Sequence, residues 1–485
     1  MTSKINVQKN TIYNMIKSVA AILFPMISFP YASRVLLADS LGKVNFANSV
    51  VSYFNLLAGL GIATYAIREC SKVKEDKEKL ENVASQLYTI NVYTTAFAYL
   101  CLLIVLLVVR PLEKYRALIV LLSLTIGLTT IGADWINNVM EDFKFIAIRT
   151  VAFQALSVVL LLMLIKSPED YLLYAGITVV SNGGANIVNS LYRKKYCKLR
   201  LVKCVDWKEH FPPILLLFSM LIAQTIYVNS DTTILGLIKG DFEVGLYSVS
   251  VKVYNIVQAL VNSVTYALLP QLSYWYGRKN YEKINPLLRY GLNFTIGLGL
   301  PCVVGMFAIA PELIVLIAGR EYTEATVSLR ILAVALGASF IAGFLGNMVM
   351  IPSGRDKLSM ISSCISAGVN LVLNILFIPR WGLNAAAATT AISQILGFFI
   401  KLPFVEKDIS IGDKKSLLLG PIIGSGMIFL IAYCVRLYNA NMILRAVMII
   451  SISAVVYGMM LIVFKNDLAL SMLENVKKRL GQNEK

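Results

Sequence analysis

Fourteen apolar runs of about 20 residues fill the chain from Tyr13 to Phe464, and a run of that length is what an α-helix needs to cross the hydrocarbon core of a bilayer. Inside lipid, every backbone N–H and C=O must be satisfied by the segment itself, so helices are the natural reading of such runs. The chain is 57% hydrophobic and 15% charged, with a mean hydropathy of +0.69, which excludes a soluble globular protein. No soluble domain fits between any two spans. The N-terminus opens on polar residues, Thr2 to Asn10, without a small-residue cleavage site, so the first span is expected to be retained. The fold expected is an all-α integral membrane protein of about 14 transmembrane helices.

A net charge of +17 could suggest nucleic acid, but its distribution argues for topology instead. The even-numbered connections carry the bulk of the lysines and arginines, chiefly Arg68 to Lys79, Arg193 to Lys208 and Arg278 to Arg289. Basic connections stay on the cytoplasmic side, so both termini are expected there, with no nucleic-acid partner. The seven cysteines are scattered without a CxxC pair, and neither a disulfide framework nor a metal site or cofactor is indicated.

The first twelve spans divide at a basic connection that ends in Pro212-Pro213. The expected organisation is an N-terminal lobe (1–193, six helices), a basic linker (194–212), a C-terminal lobe (213–404, six helices), two extra helices (405–465) and a cytoplasmic tail (466–485). The lobes read as repeats. The segment RVLLADSLGKVNFANSVVSYFNLL begins at Arg34 and TILGLIKGDFEVGLYSVSVKVYNIVQAL at Thr233. Aligning Gly42 with Gly245 places Ser52 on Asn255 and Gly59 on Asn262. Parallel repeats of six spans are related by an axis along the membrane normal and put a substrate site between the halves.

Polar residues three and four apart share a helix face. Span 2 carries Asn45, Asn48, Ser52, Asn55 and Gly59, and span 8 repeats the stripe with Ser248, Lys252, Asn255 and Asn262. Span 1 presents Asn10, Asn14, Lys17 and Ser28, and span 7 presents Gln224 and Asp231. Such faces must look into protein or a wet cavity. A lysine at a helix centre costs about 3 kcal/mol to insert, so Lys17 and Lys252 imply a polar or anionic cargo within the membrane. The alternatives are helix–helix bonding for the Asn and Ser residues and, for Lys17, reaching to the surface.

Carboxylates within spans are candidates for proton or Na⁺ coupling. Asp134 shares a periodic face with Thr130, Asn137 and Glu141 in span 4, and Asp231 lies in span 7. Each could equally balance a nearby Arg or Lys. Pro25 and Pro30 are expected to bend the first span. The segment from Asp467 to Leu480 has an apolar face flanked by Lys477, Lys478 and Arg479, the pattern of an interfacial helix. GxxxxGK[ST], GxSxG, HExxH and DxD are all missing, and His210 is expected to be an ordinary residue of the basic loop.

The segments FPMISFPYASRVL (24–36), LGKVNFANSVVSYF (41–54) and GLGIATYAIRE (59–69) resemble the opening of bacterial polysaccharide (O-antigen or capsule) repeat-unit flippases. SDTTILG (230–236), EVGLYSVSVKV (243–253) and PRWGLNAAAATT (379–390) resemble later blocks of the same family, part of the multidrug/oligosaccharidyl-lipid/polysaccharide exporter superfamily. The resemblance implies two six-helix lobes around a cavity that opens alternately to either side. The implied cargo is a polyprenyl-diphosphate-linked oligosaccharide carried to the outer leaflet of the cytoplasmic membrane. By position, Lys17, Arg34, Lys252 and Arg68 match the basic cavity groups of the related lipid II flippases, with anchoring of the external end of span 1 the alternative for Arg34. Membrane lipids, a polysaccharide polymerase and chain-length proteins are the implied partners. A cation-coupled multidrug exporter is the alternative on the same fold, and a membrane-embedded glycosyltransferase or polymerase the alternative in another class; the short external connections and missing DxD argue against the latter.

Overall fold

A computed structural model describes residues 2–404, 414–438, 441–464, 466 and 469–470. The tail expected to form an interfacial helix lies almost entirely outside them. Among the described residues the secondary structure is helical throughout: α1 (Thr2–Gly59), α2 (Ile62–Lys72), α3 (Lys77–Val108), α4 (Arg116–Gly132), α5 (Trp135–Val139), α6 (Phe143–Leu164), α7 (Tyr171–Val179), α8 (Ala185–Tyr192), α9 (Trp207–Ile238), α10 (Asp241–Gly277), α11 (Tyr281–Ala308), α12 (Ala310–Ile317), α13 (Thr326–Phe344), α14 (Asp356–Lys401), α15 (Lys414–Leu437) and α16 (Met442–Val463).

Eleven helical stretches among the described residues are long and apolar enough to cross a membrane. Two of them, Met15–Lys72 and Asp356–Phe404, hold 58 and 49 residues and each contains a backbone break, so each makes two passes at about 1.5 Å per residue. The run 171–192, α7 and α8 joined by a π-helical turn at Val180–Gly184, adds another. The fourteen passes read from hydropathy are thus the architecture observed.

The breaks fall at positions that periodicity does not mark. Pro25 and Pro30 sit inside a continuous helix, and the one break in the helical backbone of α1 falls at Leu37 (φ 61°, ψ 175°). In α14 the break is at Gly382 (φ 55°), where the absence of a Cβ makes a positive φ inexpensive. Asp206 accepts from the Glu209 amide as N-cap of α9, so the helix starts before the proline pair and runs through it. His210 is consequently not a loop residue. It is buried in the second turn of α9, with its Nδ1 3.1 Å from the Tyr65 hydroxyl.

The chain forms two compact units, Met1–Gly245 and Leu246–Lys485. In the first, α1 packs against α3, α4, α6 and α9. At one end, Leu60, Ile62, Tyr65, Leu87, Trp135 and Ile214 form an apolar core under the basic connections. The opposite end is tied by the Tyr31 hydroxyl donating to the Ile165 carbonyl over 2.9 Å. In the second unit, α11 packs on α13 and α15, α13 on α14, and α15 on α16. Tyr457 on α16 donates to the Gly297 carbonyl of α11 over 2.6 Å, docking the last helix pair to its unit.

Candidate substrate path and charged sites

The polar stripe of the second pass runs along α1 after its break. Asn48 and Asn55 are exposed, and Asn45 and Ser52 are half-buried. The Ser52 hydroxyl donates to the Ser49 carbonyl one turn back (2.6 Å), while Ser49 meets Thr233 of α9 at 2.9 Å. Serine on this helix therefore divides its roles: Ser49 joins helices and Ser52 stays on the open face.

In the second unit α10 carries the corresponding stripe. Lys252 and Asn262 are half-buried and Asn255 is exposed. Beside them, Gln258 Nε2 lies 3.2 Å from the Tyr254 hydroxyl and 3.3 Å from Ser339 Oγ. Gln394 of α14 comes within 3.5 Å of the same Tyr254. Tyr254, Gln258 and Gln394 were not singled out from sequence. The i, i+4 spacing of Tyr254 and Gln258 beside Lys252 is the signal that marks them.

The remaining basic candidates belong to the first unit. Lys17 is half-buried in the first pass, with no ion pair among the described residues. Arg34 is exposed near the Leu37 break. Arg68 is exposed on α2, paired with Glu69 at 2.9 Å and lying over the Tyr65 ring. It sits at the basic-connection end of its unit, on an element rich in charge.

The face expected to join Asp134 to Thr130 and Glu141 does not exist, because α4 ends first. Ala133 adopts a left-handed conformation (φ 46°, ψ 52°) and α5 restarts in a new direction. Thr130 bonds Thr95 of α3 at 2.7 Å, and Glu141 pairs with Lys74 at 2.7 Å. Asp134 instead meets Arg149 of α6, Oδ1 to Nη2 at 2.6 Å, with the arginine side chain only 5% exposed. Arg149 was missed because it lies early in an apolar run. Nearby, Asn137 donates to Asn189 (2.5 Å), Asn189 to the Gly132 carbonyl (2.8 Å) and Arg193 to the Ile131 carbonyl (3.2 Å). These donors satisfy carbonyls that the end of α4 leaves without helical partners, and Arg193 also complements the negative end of its dipole. Asp231 is buried in α9.

A second charged pair lies in the other unit. Arg436 of α15 grips Glu312 of α12 through both carboxylate oxygens (2.8 Å each) and donates to the Ala308 carbonyl (2.6 Å). Glu312 is 3% exposed. Among the described residues no cluster of His, Cys, Asp or Glu is arranged to hold a metal.

The sequence profile described as polysaccharide biosynthesis protein matches residues 7–275, more than half of the chain. The chain belongs to this family. A second profile, MatE, matches residues 216–376 of this family member. Among curated relatives, a putative O-antigen transporter of Shigella dysenteriae is 22% identical over 408 residues, covering 81% of this chain and 99% of that one. A capsular polysaccharide biosynthesis protein, CapF of Staphylococcus aureus, is 23% identical over 82% of this chain and 99% of its own. The fold is similar to that of the lipid II flippase MurJ in an inward closed conformation, with a TM-score of 0.75, 17% identity, and coverage of 94% of this chain and 99% of that one. An inward-facing multidrug MATE transporter aligns at a TM-score of 0.57 and 14% identity, covering 79% and 93%. This family member therefore shares the helical fold common to flippases and drug exporters.

Proposed function

We propose that this protein is a flippase that carries polyprenyl-diphosphate-linked oligosaccharide repeat units from the inner to the outer leaflet of the cytoplasmic membrane, for O-antigen or capsule assembly. The family membership and the names of its relatives support this reading. The observation that carries it to particular residues is Lys252. It is a half-buried lysine in the first third of a 37-residue helix, three turns in from its start, on a face continued by Asn255 and Asn262. A lysine in low dielectric attracts a diphosphate far more strongly than it would in water. The amides and hydroxyls of Asn48, Ser52, Asn55, Asn255 and Asn262 would meet sugar hydroxyls, with the polyprenyl chain left in lipid. Lys17, Arg34 and Arg68 complete the proposed basic set. The basic face disfavours a carrier of cationic drugs.

Both termini are proposed to be cytoplasmic, which places the basic connections on the side where the lipid-linked unit is made. Asp134 and Asp231 are the proposed coupling candidates, and a polymerase with its chain-length partner would take the product. The protein is proposed to move its cargo without chemical change. The test compares Lys252→Ala and Lys252→Gln at matched surface abundance, in vesicles with a fluorescent polyprenyl-diphosphate oligosaccharide. Both should lose most leaflet exchange, and wild-type exchange in both would remove Lys252 from the site.

A further inference from the structure

The first unit carries a cavity that none of the residues above lines. It has a volume of about 660 Å³ and lies at the end opposite the basic connections, between the 3-10 turn Arg110–Tyr115 and the α9–α10 turn at 236–240. Pro111 presets the first turn, and Gly240 (φ 94°) allows the second to fold back, its amide reaching the Leu235 carbonyl. Tyr115 forms the floor. Its ring lies 4.5 Å from that of Phe46, and its hydroxyl donates to Asp241.

Three cations reach this cavity: Arg110, Lys114 and Lys239. Lys114 is held by Asp241 at 3.1 Å and covers the Tyr115 ring. The one carboxylate of the lining, Glu113, turns to Arg116 at 3.3 Å. Among the described residues Arg110 and Lys239 have no carboxylate partner. The wall thus carries two uncompensated positive charges around a space of ordinary ligand-pocket size. Arg110 and Lys239 come from different turns and line one concavity, and the two carboxylates beside it, Glu113 and Asp241, are paired with Arg116 and Lys114.

We propose that this cavity is a binding site for a lipid-borne phosphate, with Arg110 and Lys239 gripping the anion and Lys114 held ready beside it. The phosphate has two chemical sources, an anionic phospholipid headgroup or a polyprenyl diphosphate. Because the site shares no residue with the proposed Lys252 site, its test stands apart from the transport reading.

The test titrates the purified full-length protein in detergent with dioctanoyl-phosphatidylglycerol, farnesyl diphosphate or dioctanoyl-phosphatidylcholine, following intrinsic fluorescence and thermal midpoint. Saturable binding of either anionic ligand, above that of phosphatidylcholine, is expected. Arg110→Gln with Lys239→Gln should weaken it about tenfold or more, the scale of one or two charge-assisted bonds. Glu113→Gln, which removes the one carboxylate of the lining and frees Arg116, should strengthen it. All three side chains are exposed, so unliganded midpoints should match wild type. Preference for phosphatidylglycerol would identify a resident headgroup, and preference for farnesyl diphosphate the cargo class; both support the site. Non-saturable binding, or equal binding by the double variant, overturns it.

Discussion

Gly42 and Gly245 sit at a helix crossing within the first unit where each faces a carbonyl of the other helix. A Cβ on Gly42 would overlap the Asp241 carbonyl oxygen, and one on Gly245 would overlap the Ala38 oxygen. The arrangement is reciprocal: the offset that aligns the two glycines in sequence also aligns Ala38 with Asp241. Gly42→Ala and Gly245→Ala should each destabilise the protein by about 1–3 kcal/mol, because backbone atoms cannot step aside as side chains do. Gly59→Ala, where nothing lies within 4 Å, should be neutral or slightly stabilising. Thermal midpoints in detergent check both signs, and an unshifted Gly42→Ala would show that the crossing is loose.

Asp134 neutralises an arginine that has little other support, since Arg149 Nε and Nη1 are buried without hydrogen-bond partners. Asp134→Asn should cost about 2–3 kcal/mol, below the range for a fully buried pair because the aspartate side chain is 34% exposed. Adding Arg149→Met should recover part of that loss. A coupling role makes a different demand: Asp134→Asn would lose gradient-driven transport, and Arg149→Met would not restore it. Measuring midpoint and transport in the same three variants separates the two roles.

Glu312 and Arg436 fasten α12 to α15 through two hydrogen bonds. A double-mutant cycle of Glu312→Gln and Arg436→Met should give a coupling energy of about 1–3 kcal/mol. Additive effects would mean that α15 is held by its apolar packing alone.

Asp142 gives a pH dependence of defined sign. Burial pushes its carboxyl upward, but the Tyr196 and Tyr192 hydroxyls (2.7 Å each) and the Phe145 amide outweigh this and hold it below its ordinary 3.8. A carboxylate depressed by folding stabilises the fold above its unfolded pKa, and that contribution fades as pH falls through the lower folded value. Asp142→Asn should therefore lower the midpoint at pH 7, and the gap to wild type should close below about pH 4. A constant gap down to pH 3 would contradict this.

The number and placing of the passes, the polar stripes on α1 and α10 and the alignment of Gly42 with Gly245 were legible in the sequence; that the two glycines meet was not. Each is a local pattern: a run of apolar residues, a spacing of three and four, or a repeated block. The Leu37 and Ala133 breaks were not legible, because nothing in a residue's own hydropathy reports the backbone angle that its neighbours impose. The face assigned to Asp134 failed for that reason, since periodicity was carried across a helix end.

The partners of the buried charges were decided by tertiary structure alone. Glu312 and Arg436 are 124 residues apart, and Asp134 finds Arg149 only after a reversal of the chain. In a membrane protein, lipid-facing and protein-facing surfaces are both apolar. Hydropathy therefore determines which segments leave water, and packing decides which side of each segment meets another helix.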